Sequence, residues 1–271
     1  MSRETLIKKT VALYEKLKTE WSKKSRNLDI CGKYISEIKV ELTKLQFLPA
    51  AGSEVSKEEL LVARNTLEIG ALWSIAKKDI PLFERYMSML KVYYKDYKDA
   101  IVESCYMYEL LGLDLLCLLA QNKVGEFHTA LELLPREVLQ ENVYIRHPVA
   151  MEQYLMEGAY NKIYLAKGEV PSDRYKFFID ELLTTIREDI ADCLENAYER
   201  IRPEDIGRML YLSDTAEIRA YCKQRGWSND SSGYLVFGSG GTKQQHEELK
   251  LPSTTLAEQM ISYAREMEQI V

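Results

Sequence analysis

Over the first 200 residues, apolar positions return at intervals of three and four, run after run, with only short breaks between the runs. The pattern is clear in "LIKKTVALYEKLKTEW" (6–21), "CGKYISEIKVELTKLQFL" (31–48), "LLVARNTLEIGALWSIAKK" (60–78) and "LFERYMSMLKVYYKDY" (82–97). It continues through "SCYMYELLGLDLLCLLAQ" (104–121), "VGEFHTALELLP" (124–135), "HPVAMEQYLMEGAYNKIYLAKG" (147–168) and "DRYKFFIDELLTTIREDIADCLENAYERI" (173–201). Such spacing places apolar side chains on one helical face, so each run predicts a helix packed on its neighbours.

The breaks carry turn and cap chemistry. "PAAGSE" is a loop, and Ser56 with Glu59 forms a capping box for the helix after it. Pro81 falls in a first helical turn, where proline is tolerated. Asn122 marks a short turn, Pro148 lies near a helix start, and Gly168 is a stop. Connections this short predict antiparallel hairpins. Helix starts near 57, 103 and 148 recur at about 45 residues, which predicts stacked hairpins in an α-solenoid. Gly70, Ala71, Gly112, Gly158 and Ala159 are small enough to allow close helix crossings.

Beyond residue 200 the pattern changes. "PEDIGRMLYL" and "DTAEIRAYCKQRG" are short helices, the second capped by Asp214 with Glu217 and stopped by Gly226. "WSNDSSGYLVFG" then places a turn between Trp227 and the β-favouring run from Tyr234 to Phe237. A long helix, two short helices and a β-hairpin is the element order of a winged helix. The expected organisation is a helical-repeat region (1–171), a winged-helix module with its leading helix (172–238), a polar tether (239–252) and a terminal helix (253–271).

That last helix has a defined stripe. Leu256, Met260, Tyr263, Met267 and Ile270 are spaced four, three, four, three, the rhythm of a coiled-coil seam. Ile261, Ala264 and Val271 flank it, and Thr255 with Glu258 forms a capping box at its start. The tether gives the helix no adjacent packing surface, so the stripe predicts partner helices.

Composition excludes several classes. No apolar run reaches the roughly 18 residues that span a membrane. The net charge is −6, from 36 Lys and Arg against 42 Asp and Glu, which disfavours a nucleic-acid partner. In the second short helix Arg219, Lys223 and Arg225 stand against Asp214 and Glu217, and the wing carries no Lys or Arg. Cys31, Cys105, Cys117, Cys193 and Cys222 are scattered without a C-x-x-C pair and are expected to be buried thiols of a reducing compartment. In that setting the sequon Asn229-Asp230-Ser231 is a chance match.

Catalytic chemistry finds no motif. "FGSGGTKQ" (237–244) lacks the Gly-Lys-Ser/Thr order of a phosphate loop, because Thr242 precedes Lys243 and Gln244 follows it. His128, His147 and His246 show no metal-ligand spacing, and His128 and His147 are expected to be hydrogen-bonded packing residues. Glu247-Glu248 lies in the polar tether, and no G-x-S-x-G is present. Tyr93, Tyr94 and Tyr97 sit at helical spacing and are expected to be half-buried packing groups. No catalytic residue, cofactor or metal is predicted, and no small-molecule substrate.

Helical hairpins, a winged helix and a terminal helix are also the layout of PCI-domain proteins. "ARNTLEIGALWSIAKKDIPLFERYMSMLKVYY", "LLGLDLLCLLAQNKVGEFHTALELLP", "NVYIRHPVAMEQYLMEGAYNKIYLAKG", "FFIDELLTTIREDIADCLENAYERI" and "SYAREMEQIV" resemble the PCI-domain subunits of the proteasome lid. The likeness runs from about residue 10 to the end and is weaker over 228–251. It implies a non-catalytic scaffold in ubiquitin-dependent protein degradation, present in cytoplasm and nucleus, with other lid subunits as partners in a hetero-oligomer. It further implies two contacts. One falls on the hairpin 227–237, with Trp227, Tyr234 and Val236. The other uses Leu256, Met260, Ile261, Tyr263, Ala264, Met267, Ile270 and Val271. A small PCI subunit of the signalosome or of a translation-initiation complex is the alternative in the same fold. A winged-helix nucleic-acid binder is the alternative of a different class.

Overall fold

Hairpin packing starts at the first residues of the computed structural model, which describes residues 3–23, 27–44, 57–98, 101–168, 170–212, 214–230, 233–237 and 253–269. The capping Ser56, the loop 49–54, the tether 239–252 with its glycine-rich stretch and His246, and Ile270 and Val271 lie outside the described residues, as do the side chains of Thr255 and Asn229. The described chain divides into two units, Met1–Ile186 and Arg187–Val271.

In the first unit α1 (Arg3–Ser22) packs on α2 (Leu28–Lys44), α2 on α3 (Lys57–Lys77), and α3 on α4 (Ile80–Asp96). The turn from α3 to α4 is closed by Asp79, whose carboxylate accepts from the Leu82 N–H. Gly70 is a contact residue, as its size predicts. A Cβ there would stand 2.6 Å from the Tyr86 ring, so the missing side chain is what lets that ring lie on α3. Tyr93 and Tyr94 are buried more deeply than their spacing suggests, at 2% and 8% exposure.

The solenoid becomes irregular after α4. Successive hairpins begin at Lys57, Met107 and Val143, so the expected period of about 45 residues is not kept. α5 (Met107–Ala120) is buried from Gly112 to Ala120. It packs on α6 (Val124–Glu132) and on the later α8 (Val143–Met156), with the short α7 (Arg136–Glu141) between them in sequence. An almost wholly apolar helix needs cover on every side, which one hairpin partner cannot supply.

The helix expected over 147–168 is two helices. α8 starts at Val143, capped by Asn142, and ends at Met156; α9 (Tyr160–Ala166) follows. Gly158 adopts φ +67°, left-handed backbone that ends the first helix, and nothing crowds its Cα. It is a turn residue and makes no close crossing. Pro148 sits inside α8, several residues past its start.

α10 (Tyr175–Ala197) runs from the first unit into the second. The second unit continues with β1 (Arg200–Ile201), α11 (Pro203–Met209), α12 (Thr215–Arg225), β2 (Ser228–Asn229), β3 (Leu235–Val236) and finally α13 (Ser253–Gln269). The sheet order is β1-β3-β2, both pairs antiparallel. β1 is an addition to the expected hairpin, and with it the element order of a winged helix is complete. Leu194, Ile206, Leu210, Ile218, Trp227 and Leu235 form its core. Asp214 accepts from the Ala216 N–H, and Gly226 at φ +75° ends α12, both as their residue types predict.

The thiols are only partly as expected. Cys31, Cys117 and Cys222 are buried, whereas Cys105 and Cys193 are exposed. Asp192 and Glu195 beside Cys193 on α10 are exposed too, whereas Ala191 and Leu194 of the same turn are buried, so Cys193 lies on the solvent-facing side of the helix.

Candidate interaction surfaces

α13 carries the predicted seam, and every described side chain on it is exposed. Leu256 is 46% exposed, Met260 74%, Ile261 58%, Tyr263 65% and Met267 54%, and Ala264 is exposed with them. At 100° per residue these six fall within about 160° of the helix circumference. The remaining circumference carries Glu258, Arg265 and Glu266, while Glu268 falls within the arc next to Ile261.

The winged module distributes its predicted contact residues differently. Trp227 is buried at 7%, and its indole N–H donates to Glu195 at 2.8 Å on the leading helix α10. It packs edge-on against Tyr221 and Phe237. Its role is therefore to hold β2 on α10, one step removed from any surface. Val236 lies on the central strand, paired with Arg200 on one side and Ser228 on the other. Among the described residues the outer edges of the sheet consequently belong to β1 and β2. Tyr234 is half-buried, with the Arg200 and Arg202 guanidinium groups 5.7 and 5.8 Å from its ring centroid.

Arg225, counted from sequence as a possible nucleic-acid contact, is committed within the module. It pairs with Asp192 at 2.7 Å and donates to the Glu188 carbonyl at 3.1 Å. Of the three basic residues of α12, Arg219 and Lys223 remain on the exposed face, beside the exposed Glu217.

His128 is exposed and lies 3.4 Å from Glu152. His147 is packed as expected but not hydrogen-bonded: both ring nitrogens are buried and neither has a partner. Among the described residues no cluster of three or more His, Cys, Asp or Glu is placed to hold a metal ion, and no helix is long and apolar enough to cross a membrane. Sequence reasoning missed β1 and the arginine pair on Tyr234. The only signal was the short alternation "RIR" before Pro203.

Helical hairpins leading into a winged helix define a PCI-type scaffold. Residues 105–247 match the CSN8/PSMD8/EIF3K family, and the chain belongs to that family. It is 38% identical over 262 residues to 26S proteasome non-ATPase regulatory subunit 8 homolog A of Arabidopsis thaliana, covering 95% of this chain and 96% of that one. It is 32% identical over 260 residues to 26S proteasome non-ATPase regulatory subunit 8 of Caenorhabditis elegans, covering 96% and 99%. It is also 32% identical over 263 residues to 26S proteasome regulatory subunit rpn12 of Schizosaccharomyces pombe, covering 91% and 94%.

Proposed function

We propose that the chain is a non-ATPase, non-catalytic subunit of the lid of the 26S proteasome regulatory particle, acting as a scaffold in ubiquitin-dependent degradation in cytoplasm and nucleus. The observation that carries this reading is the exposed apolar arc of α13. Helices of this length are marginal in water by themselves, so an arc of Leu256, Met260, Ile261, Tyr263 and Met267 calls for a partner. Each large side chain buried contributes about 1.5–3 kcal/mol. An arc near 160° is wider than the seam of a two-helix coil, which supports a bundle of several chains.

In this reading residues 172–238 form the assembly module, 239–252 the tether and 253–271 the bundling helix. The edges of β1 and β2 supply the second contact, by adding a neighbour's strand or loop. The relatives matched over nearly the whole chain carry proteasome names, which supports the proteasome over the signalosome or an initiation complex. Engagement of Arg225 with α10 and the overall negative charge weigh against a nucleic-acid partner.

Deleting 253–271 tests the proposal. The shortened chain should keep the far-ultraviolet dichroism and melting transition of its folded body, yet fail to co-purify with the other 26S regulatory subunits. Normal assembly of the shortened chain would remove α13 from the account.

A further inference from the structure

The winged-helix sheet carries a pair of cations that the β1–β3 pairing gathers on one ring. Ile201 of β1 is buried in the module core, so its neighbours Arg200 and Arg202 turn to the opposite, exposed face. Arg200 stands opposite Val236 and Ile201 opposite Leu235, a register that, continued by one residue, sets Arg202 opposite Tyr234. Both guanidinium groups thus reach the Tyr234 ring, 5.7 and 5.8 Å from its centroid, from the outer strand of the sheet. We propose that Arg200 and Arg202 select the neighbour at this edge: an extended acidic segment of another subunit lies along β1 and sets two carboxylates, two residues apart, against them. The proposal rests on the scaffold reading above and gives its second contact a chemistry.

Charge and geometry favour that occupant. The ion pairs of this module are made by Arg208 with Asp205 and by Arg225 with Asp192. Among the described residues no carboxylate stands within ion-pair distance of Arg200 or Arg202, and the next positions on their face, Ser228 and Val236, are uncharged. Stacking on Tyr234 holds both guanidinium groups near one place, so an arriving anion meets a partly organised fork in place of two free side chains. A strand added beside β1 stands its same-face side chains about 4.5–5.5 Å from those of β1, within reach of an arginine–carboxylate pair. Because 200 and 202 are two apart, the complementary signature is Asp or Glu at alternate positions. A nucleic-acid backbone fits less well, since it needs a longer run of cations. The chain instead continues from Arg202 into Glu204 and Asp205, and Arg225 is committed to α10.

The test uses the full-length chain, tagged and expressed in place of the cell's own copy, with Tyr198→p-benzoylphenylalanine as a photo-cross-linker at an exposed position beside β1. Irradiation should join it to a segment of a 26S regulatory subunit that carries Asp or Glu at alternate positions. Arg200→Glu with Arg202→Glu should abolish that product and lower co-purified regulatory subunits about tenfold, with the melting transition unchanged. Arg200→Gln with Arg202→Gln should lower both less, and Arg200→Lys with Arg202→Lys least. The Gln pair removes the charge and the Lys pair keeps it, so the comparison survives any loss of folding in the Glu pair. A cross-linked segment without alternate acids, a product that nuclease removes, no product from a chain that still co-purifies, or a Gln pair indistinguishable from the parent would each overturn the proposal. Failure of the scaffold reading looks different, because the parent chain itself would then not co-purify with regulatory subunits.

Discussion

The Tyr175 hydroxyl stands 3.2 Å from the Tyr144 carbonyl oxygen and donates to the group that Pro148 leaves without a helical donor. Proline has no N–H, so the bond that residue 148 would return to residue 144 is missing from α8. A fully buried tyrosine on α10 supplies the replacement, and burial pushes its phenol far above the usual range, keeping the proton on the donor. Tyr175→Phe should lower stability by about 1–3 kcal/mol, the cost of a buried carbonyl without a partner. Urea denaturation followed by circular dichroism measures it. An unchanged midpoint would mean that solvent reaches that carbonyl.

Gly112 belongs to the same contact. A Cβ at this position would overlap both the Tyr175 hydroxyl and the Tyr144 carbonyl. Gly112→Ala should therefore cost about 3 kcal/mol, towards the upper end for an overpacked core. Tyr175→Phe should not rescue it, because the obstructing carbonyl is backbone and remains. A double-mutant cycle showing full rescue would place the obstruction in the hydroxyl alone.

His147 gives the fold an acid sensitivity. Its ring packs edge-on to Tyr175 at 5.8 Å with both nitrogens buried and unbonded. Loss of hydration disfavours the imidazolium and lowers the pKa below the ordinary value near 6.5. The unfolded chain then binds a proton that the folded chain refuses, so stability falls as pH drops below about 6.5. His147→Leu should flatten the dependence of melting temperature on pH between 7 and 5 relative to the parent. Equal slopes in the two proteins would rule His147 out as a source.

Lys78 occupies left-handed backbone at φ +61° in the turn between α3 and α4, and its side chain is exposed. Glycine adopts this conformation without a Cβ clash, although it gains freedom in the unfolded chain. Lys78→Gly should raise stability by about 0.5–1 kcal/mol, read as a shift in denaturation midpoint. A loss of stability would show that the lysine stem contributes more than the strain costs.

Met260 and Met267 lie one above the other on α13 and are 74% and 54% exposed. Changing both to Asp places two charges in the middle of the proposed seam while removing no contact from the body. The melting transition of the purified chain should stay within a degree or so of the parent, and co-purification with 26S regulatory subunits should be lost. Retained assembly would move the contact to another surface.

Most of the helices were legible because amphipathic spacing is a local property that survives into the fold. So were the caps at Asp214 and Gly226, whose bonds reach only two to five residues along the chain. The single helix expected over 147–168 was misread because Gly158 resembles Gly70 and Gly112 in sequence. What separates them is what stands opposite: the Tyr86 ring, the Tyr175 hydroxyl and the Tyr144 carbonyl at two of them, and open space at the third. β1 escaped notice because two residues are too few to show a period.

The helical spacing of the α13 stripe was legible as far as Met267, because it is written in consecutive residues, whereas the helix begins at Ser253, ahead of the Thr255 expected to cap it. By itself the sequence determined an α-helical chain, the order of a winged helix and an apolar stripe on the last helix. Only the tertiary structure decided that Trp227 holds the module together from inside and that, among the described residues, β1 and β2 are the outer strands of the sheet. Those outcomes depend on residues distant in sequence meeting in space, where burial, hydrogen bonding and charge are settled pair by pair.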